Sequence, residues 1–181
     1  HGNTALIWTA RLGRAECARI LLDAKADVNA ANEEGNTPVM WAACQGEFQC
    51  MKLLLDADAD VNAANQTNDN VLIVAACRGY SECLQLLLNA KAKIDAATQQ
   101  GNTALIVAAR DGRSGCAQLL LENKADVSVR NKNGYTALMM AALQGQTMCL
   151  HLLLDHKAHV ATVDQYGCTA LIFAAGSGHS A

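Results

Sequence analysis

Residues 35–46 read GNTPVMWAACQG, and residues 2–13 read GNTALIWTARLG. A shift of 33, from Gly2 to Gly35, lays one on the other. Applied again, the shift reaches GNTALIVAARDG at 101–112 and GYTALMMAALQG at 134–145. The columns hold along the whole chain: Gly2, Gly35, Asn68, Gly101, Gly134 and Gly167 begin each copy. Thr4, Thr37, Asn70, Thr103, Thr136 and Thr169 follow, and Gly13, Gly46, Gly79, Gly112, Gly145 and Gly178 close the first segment. Self-similarity at a period of this size marks a solenoid, in which each unit buries its apolar face only against its neighbours.

Each column has a physical reading. The Thr hydroxyls, and the Asn70 amide, can accept from backbone N–H groups at a helix start. Pro38, the single proline of the chain, falls at the first helical position, where its missing N–H costs nothing. A helix of about two turns should follow and stop at the Gly column, where a left-handed residue ends it. A second helix, about Glu16 to Leu22 in the first copy, carries apolar residues three and four apart and so has one buried stripe. Its triple-Leu block recurs as Leu53-Leu54-Leu55, Leu86-Leu87-Leu88, Leu119-Leu120-Leu121 and Leu152-Leu153-Leu154. The polar stretch DVNAANEEGN reads as an extended loop or hairpin.

These columns resemble the ankyrin repeat, whose G-x-T-P-L-H-x-A-A, G and G-A-D-V-N-A elements are matched by Gly35, Thr37, Pro38, Ala42, Ala43, Gly46 and Asp60-Val61-Asn62-Ala63. The resemblance covers the whole chain. It implies an all-α ankyrin-repeat solenoid and a single domain over 1–181, with repeats at 2–34, 35–67, 68–100, 101–133 and 134–166 and a partial one at 167–181. The chain is expected to be a piece of a longer protein, because it opens inside a repeat and the sixth copy stops at Ala181 before its second helix.

Two departures from the pattern matter. The family's histidine is replaced throughout by Ile7, Met40, Ile73, Ile106, Met139 and Ile172, so apolar packing must join neighbouring repeats there. After the second helix, where the family favours Gly, stand Lys25, Asp58, Lys91, Lys124 and Lys157. The backbone there is expected to be left-handed, at a cost of roughly 1–2 kcal/mol for a residue with a Cβ. The third copy is the least regular, with NDNVLI at Asn68–Ile73.

The apolar share is 51% but aromatics are only 4%. Ala, Leu and Val must therefore fill the core, which suits close helix packing. With 14 basic and 17 acidic residues the formal net charge is −3. That balance leaves no electrostatic footprint for nucleic acid or an anionic membrane. No apolar run is long enough to insert directly into a bilayer, and no signal peptide is evident.

Of eight cysteines, Cys17, Cys50, Cys83, Cys116 and Cys149 form one column at core spacing on the second helix. Stacked helices lie about 10 Å apart, whereas a disulfide needs Cα atoms within about 7 Å. The column is therefore expected to be buried and unpaired. Cys44 and Cys77 should be more exposed, and so many free thiols fit a cytoplasmic or other reducing compartment. Cys149, His151, His156 and His159 do not converge as a tetrahedral zinc site requires, so no metal is expected. No cofactor or catalytic arrangement stands out, and the chain is read as non-enzymatic.

The resemblance implies a partner-binding surface built from loop tips and first helices. It assigns Glu33, Glu34, Asn36, Gln66, Thr67, Asp69, Gln99, Gln100, Asn102, Lys132, Asn133, Tyr135, Gln165 and Tyr166 to tips. Trp41, Gln45, Arg78, Arg110, Asp111 and Gln144 fall on first helices, beside Arg11, Leu12, Cys44, Cys77 and Leu143. The tips run from acidic near Glu33 to basic near Lys132, so a partner with the opposite gradient would be oriented. Ordinary solvated loops would look the same in sequence. The column Trp8, Trp41, Val74, Val107, Met140 and Phe173 can equally pack or anchor a partner.

The expected function is non-catalytic recognition of a protein or peptide on a concave face, by a monomer or one with weak end-to-end association. The other reading is a docking or regulatory part of a larger enzyme, effector or channel. Asn29 and Asn62 resemble asparagines that are hydroxylated in ankyrin repeats.

Overall fold

A computed structural model describes residues 2–177 of the chain. The expectations for Gly178 and for the end of the chain at Ala181 lie outside the described residues. The chain divides into two compact units, His1–Lys93 and Ile94–Ala181.

The first unit contains α1 (Ala5–Arg11), α2 (Ala15–Asp23), α3 (Pro38–Gln45), α4 (Phe48–Asp56), α5 (Val71–Arg78) and α6 (Ser81–Asn89). Each odd helix packs on the even helix that follows it. The odd helices also stack as α1–α3–α5 and the even ones as α2–α4–α6. The second unit repeats the plan with α7 (Ala104–Arg110), α8 (Ser114–Glu122), α9 (Ala137–Leu143), α10 (Thr147–Asp155) and α11 (Ala170–Gly176). There α7, α9 and α11 stack, and α8 stacks on α10. Among the described residues no strand forms, and two isolated bridges, Ala64 to Asn70 and Ala97 to Thr103, mark hairpin stems.

The helices are seven to nine residues long, too short to persist alone in water. Burial between neighbours holds them. Met51, Leu54, Leu84 and Leu87 are fully buried in the first unit, as are Leu120 and Leu153 in the second, with Leu105 and Met139 nearly so. Each such side chain contributes roughly 1.5–3 kcal/mol. The apolar residues that replace the family's histidine behave as expected at Ile7, Met40, Ile73, Ile106 and Met139, all buried. Ile172 does not: it is 52% exposed, and among the described helices α11 packs chiefly on α9.

The caps follow the sequence reading at five of six positions. Thr4, Asn70, Thr103, Thr136 and Thr169 accept the backbone N–H three residues on. Thr37 departs from it: its side chain makes no cap bond, and its hydroxyl oxygen is buried without a partner among the described residues. Pro38 does occupy the first turn of α3, and Gly46 and Gly79 end α3 and α5 in the left-handed region. Lys25, Asp58, Lys91, Lys124 and Lys157 all have φ between 62° and 69°, the strained conformation expected of them. Asn68 joins them at φ 58°, a conformation asparagine tolerates.

The thiol column is corrected at one end. Cys50, Cys83, Cys116 and Cys149 are buried, but Cys17 is exposed. Among the described helices α2 packs chiefly against α1 and α4, whereas α4 also meets α1 of the preceding repeat, so the face covered there in α4 is open in α2. Burial pushes the Cys50 and Cys149 thiols up, with the Glu47 carboxylate adding to the effect on Cys50. Both thiols reach a first-helix carbonyl of the preceding repeat: Cys50 donates to Thr9 at 3.8 Å and Cys149 to Ala108 at 3.9 Å.

Candidate functional site

The hairpin tips are built on a column that sequence reading passed over. Asn32 Oδ1 accepts from the N–H groups of Glu34 and Asn36, at 3.0 and 2.9 Å. Asn65 does the same for Thr67 and Asp69, Asn131 for Asn133 and Tyr135, and Asp164 for Tyr166 and Cys168. Thr98 supplies its hydroxyl to Gln100 and Asn102. One side-chain oxygen thus replaces two backbone partners and closes each hairpin. The asparagines do a second job with their amide nitrogen: Asn32 donates to Asn3, Asn65 to Asn36 and Asn131 to Asn102, each one repeat earlier. Asp164 cannot donate in this way, and its Oδ2 is buried without a partner among the described residues.

Between tips the backbone is also joined. In the first unit Gln66 N–H donates to Glu34 O at 3.1 Å, and the Gln66 amide to Glu33 O at 2.7 Å. In the second, Lys132 N–H donates to Gln100 O at 3.0 Å. Glu33, Glu34, Gln66, Thr67, Gln99, Gln100, Lys132, Asn133 and Tyr166 stand exposed on this frame, and Asn36, Asp69, Asn102 and Tyr135 are half-buried in it. Thr67 can donate to Asn65 or to Asp69, both at 2.7 Å, and Glu34 accepts from Asn36.

A second column ties the hairpin bases together. Asn29 accepts from Asp60 N–H and Asn62 from Lys93 N–H, both at 2.8 Å. In the second unit Asp95 accepts from Asp126 N–H at 3.0 Å. The Ser128 hydroxyl and N–H hold the Asp126 carboxyl below its ordinary range.

On the first helices of unit one, Arg11 lies 5.3 Å from the Trp8 ring centre and 4.5 Å from that of Trp41. Trp8 is 45% exposed; Trp41 is half-buried, with an indole nitrogen that finds no partner among the described residues. Trp41, Asn36, Met40, Cys44 and Val74 line a shallow recess of about 140 Å³. Arg78 donates to one of these lining residues, its Nη2 3.6 Å from Cys44 Sγ. Gln45 is exposed at the end of α3. The i, i+3 spacing already set Trp8 beside Arg11 in the sequence; the reach of Arg11 to Trp41 depends on how two repeats stack and left no sequence signal.

In unit two the first-helix residues are more self-contained. Arg110 grips Asp111 through two bonds of 2.7 and 2.9 Å. Tyr135 meets Phe173 edge-on at 5.4 Å. Gln144 is exposed at the end of α9. Phe173 therefore packs against a tip residue, while Val107 is buried.

Among the described residues, no three His, Cys, Asp or Glu side chains come together as metal ligands. His156 Nδ1 lies 2.9 Å from Leu152 O, at the end of its own helix. None of the described helices is long and apolar enough to cross a membrane.

A family model of ankyrin repeats matches the chain in three copies, over residues 1–65, 61–131 and 123–181. No curated protein matches the chain.

Proposed function

This chain belongs to the ankyrin-repeat family, and on that footing we propose that it is a non-catalytic module that binds a protein or peptide through its hairpin tips and first helices. Ankyrin repeats are in general protein–protein interaction modules. The finer reading rests on one observation: the exposed tip side chains stand on hairpins closed by Asn32, Asn65, Thr98, Asn131 and Asp164. Groups held on a rigid frame lose little conformational freedom on binding, so more of their interaction energy appears as affinity.

The binding residues under this reading are Glu33, Glu34, Asn36, Trp41, Gln45, Gln66, Thr67, Asp69 and Arg78 in unit one. In unit two they are Gln99, Gln100, Asn102, Arg110, Asp111, Lys132, Asn133, Tyr135, Gln144 and Tyr166. The 33-residue register runs unbroken through Lys93 and Ile94, which supports reading 1–181 as one recognition domain. Eight free thiols support a cytoplasmic or other reducing setting, and the balanced charge supports a protein rather than nucleic acid as partner.

The test is affinity capture from a lysate of the source organism. One bait is the chain itself; the other carries Glu34→Ala, Arg78→Ala and Lys132→Ala, with an unchanged melting curve. A protein retained by the first and lost by the second is the expected result. Equal retention by both removes this surface as the site.

A further inference from the structure

The geometry points to an acidic peptide segment as the ligand of the first unit, with an apolar side chain in the Trp41 recess and a carboxylate on each of Arg11 and Arg78. This rests on the reading of first helices and tips as the recognition surface and adds the chemistry of the partner.

The recess is apolar on its floor, where Met40, Trp41 and Val74 meet, and it is open to solvent. Two of its lining residues each meet a guanidinium, Trp41 that of Arg11 from the repeat before and Cys44 that of Arg78 from the repeat after. Both lean over α3: Arg11 onto the Trp41 ring at 4.5 Å, and Arg78 onto Cys44 Sγ at 3.6 Å. Trp41 and Cys44 are one turn apart on the same side of that helix. Neither guanidinium has a carboxylate within ion-pair distance among the described residues, whereas Arg19 and Arg110 do. Stacking on an indole occupies a face of the guanidinium and leaves its N–H edge to bind a carboxylate through two parallel bonds. Arg11, near two indoles, is held in place before any ligand arrives.

The order of the three features, Arg11 on Trp41, the recess, and Arg78 on Cys44, sets the pattern of the ligand. In an extended segment alternate side chains share a face. An acidic residue, any residue, an apolar one, any residue and a second acidic one therefore present carboxylate, apolar group and carboxylate to Arg11, the recess and Arg78. Glu34 accepts from Asn36, which lines the recess, so its carboxylate disfavours a ligand carboxylate on that edge.

The test is a selection of random nonapeptides displayed on phage against the folded chain. Enriched peptides are then measured by fluorescence anisotropy with the chain and with Arg11→Gln and Arg78→Glu, each confirmed folded by its melting curve. Arg78 is exposed, so its variant keeps the test valid even if Arg11→Gln destabilises α1. Enrichment of the acidic–x–apolar–x–acidic pattern is expected, with binding weakened about 10-fold or more by Arg78→Glu. No enrichment, or acidic peptides that bind Arg78→Glu equally well, overturns the inference. Uncharged or basic peptides that protect α3 and α5 from hydrogen exchange also overturn it, while leaving recognition by first helices standing. Peptides that protect only α2, α4 and α6 end both.

Discussion

The Asn65 side-chain nitrogen donates to Asn36 Oδ1 across 3.2 Å while its oxygen accepts from Thr67 and Asp69. One side chain thereby closes its own hairpin and ties it to the hairpin before. Asn65→Ala removes both functions and should cost about 1–3 kcal/mol, the range for leaving part-buried backbone donors unsatisfied. Asn65→Asp keeps the acceptor and loses only the donor, so it should cost less. Urea unfolding of the two variants beside the parent gives the comparison; equal losses would show that the turn bonds carry no weight.

The Thr column makes a paired prediction. Thr103 caps α7 by accepting from Ile106 N–H, and Thr37 caps nothing although it is also buried. Thr103→Val should therefore destabilise by about 1 kcal/mol. Thr37→Val removes an unpartnered buried oxygen and should leave the melting temperature unchanged or higher. A loss at Thr37 as large as at Thr103 would mean that Thr37 is satisfied in solution.

Lys25 and Lys91 sit at φ 63° and 64°, and both side chains are exposed. Glycine removes strain of roughly 1–2 kcal/mol and adds chain entropy to the unfolded state worth about 0.5–1 kcal/mol. Each substitution should therefore raise the melting temperature by a few degrees, read by calorimetry. A lower value for both would contradict the left-handed assignment.

Thiol labelling should follow burial. At pH 8, Cys17 should react first with an aromatic disulfide reagent, and Cys44, Cys77 and Cys168 more slowly. Cys50, Cys83, Cys116 and Cys149 should react only on unfolding. The raised Cys50 and Cys149 values also give a pH dependence. In alkali the unfolded chain loses these two protons while the folded chain still holds them. Stability should therefore fall as pH climbs through the free thiol range, about 8.5. Replacing both with Ala should flatten that part of the profile.

Much of this was legible in the sequence because a period repeats its own evidence. Five copies of the Thr cap and five of the positive-φ loop made those elements readable residue by residue. The hairpin column was present at the same period, as Asn32, Asn65, Thr98, Asn131 and Asp164. It was masked by chemistry, since three residue types share one role as a short acceptor and any polar loop looks similar. The exposure of Cys17 and Ile172 was hidden for another reason: each occupies a core position that a neighbouring repeat covers in its equivalents and that no described helix covers to the same extent here. The approach of Arg11 to Trp41 joins side chains 30 positions apart, and the offset between stacked repeats that creates it has no counterpart in a single helix.

Recognition by hairpin tips and first helices can be read from hydrogen exchange on the chain with and without its captured partner. Added protection is expected within 33–45, 66–78, 99–111 and 132–144, with 48–56, 81–89, 114–122 and 147–155 unchanged. Protection confined to the second set would rule this surface out.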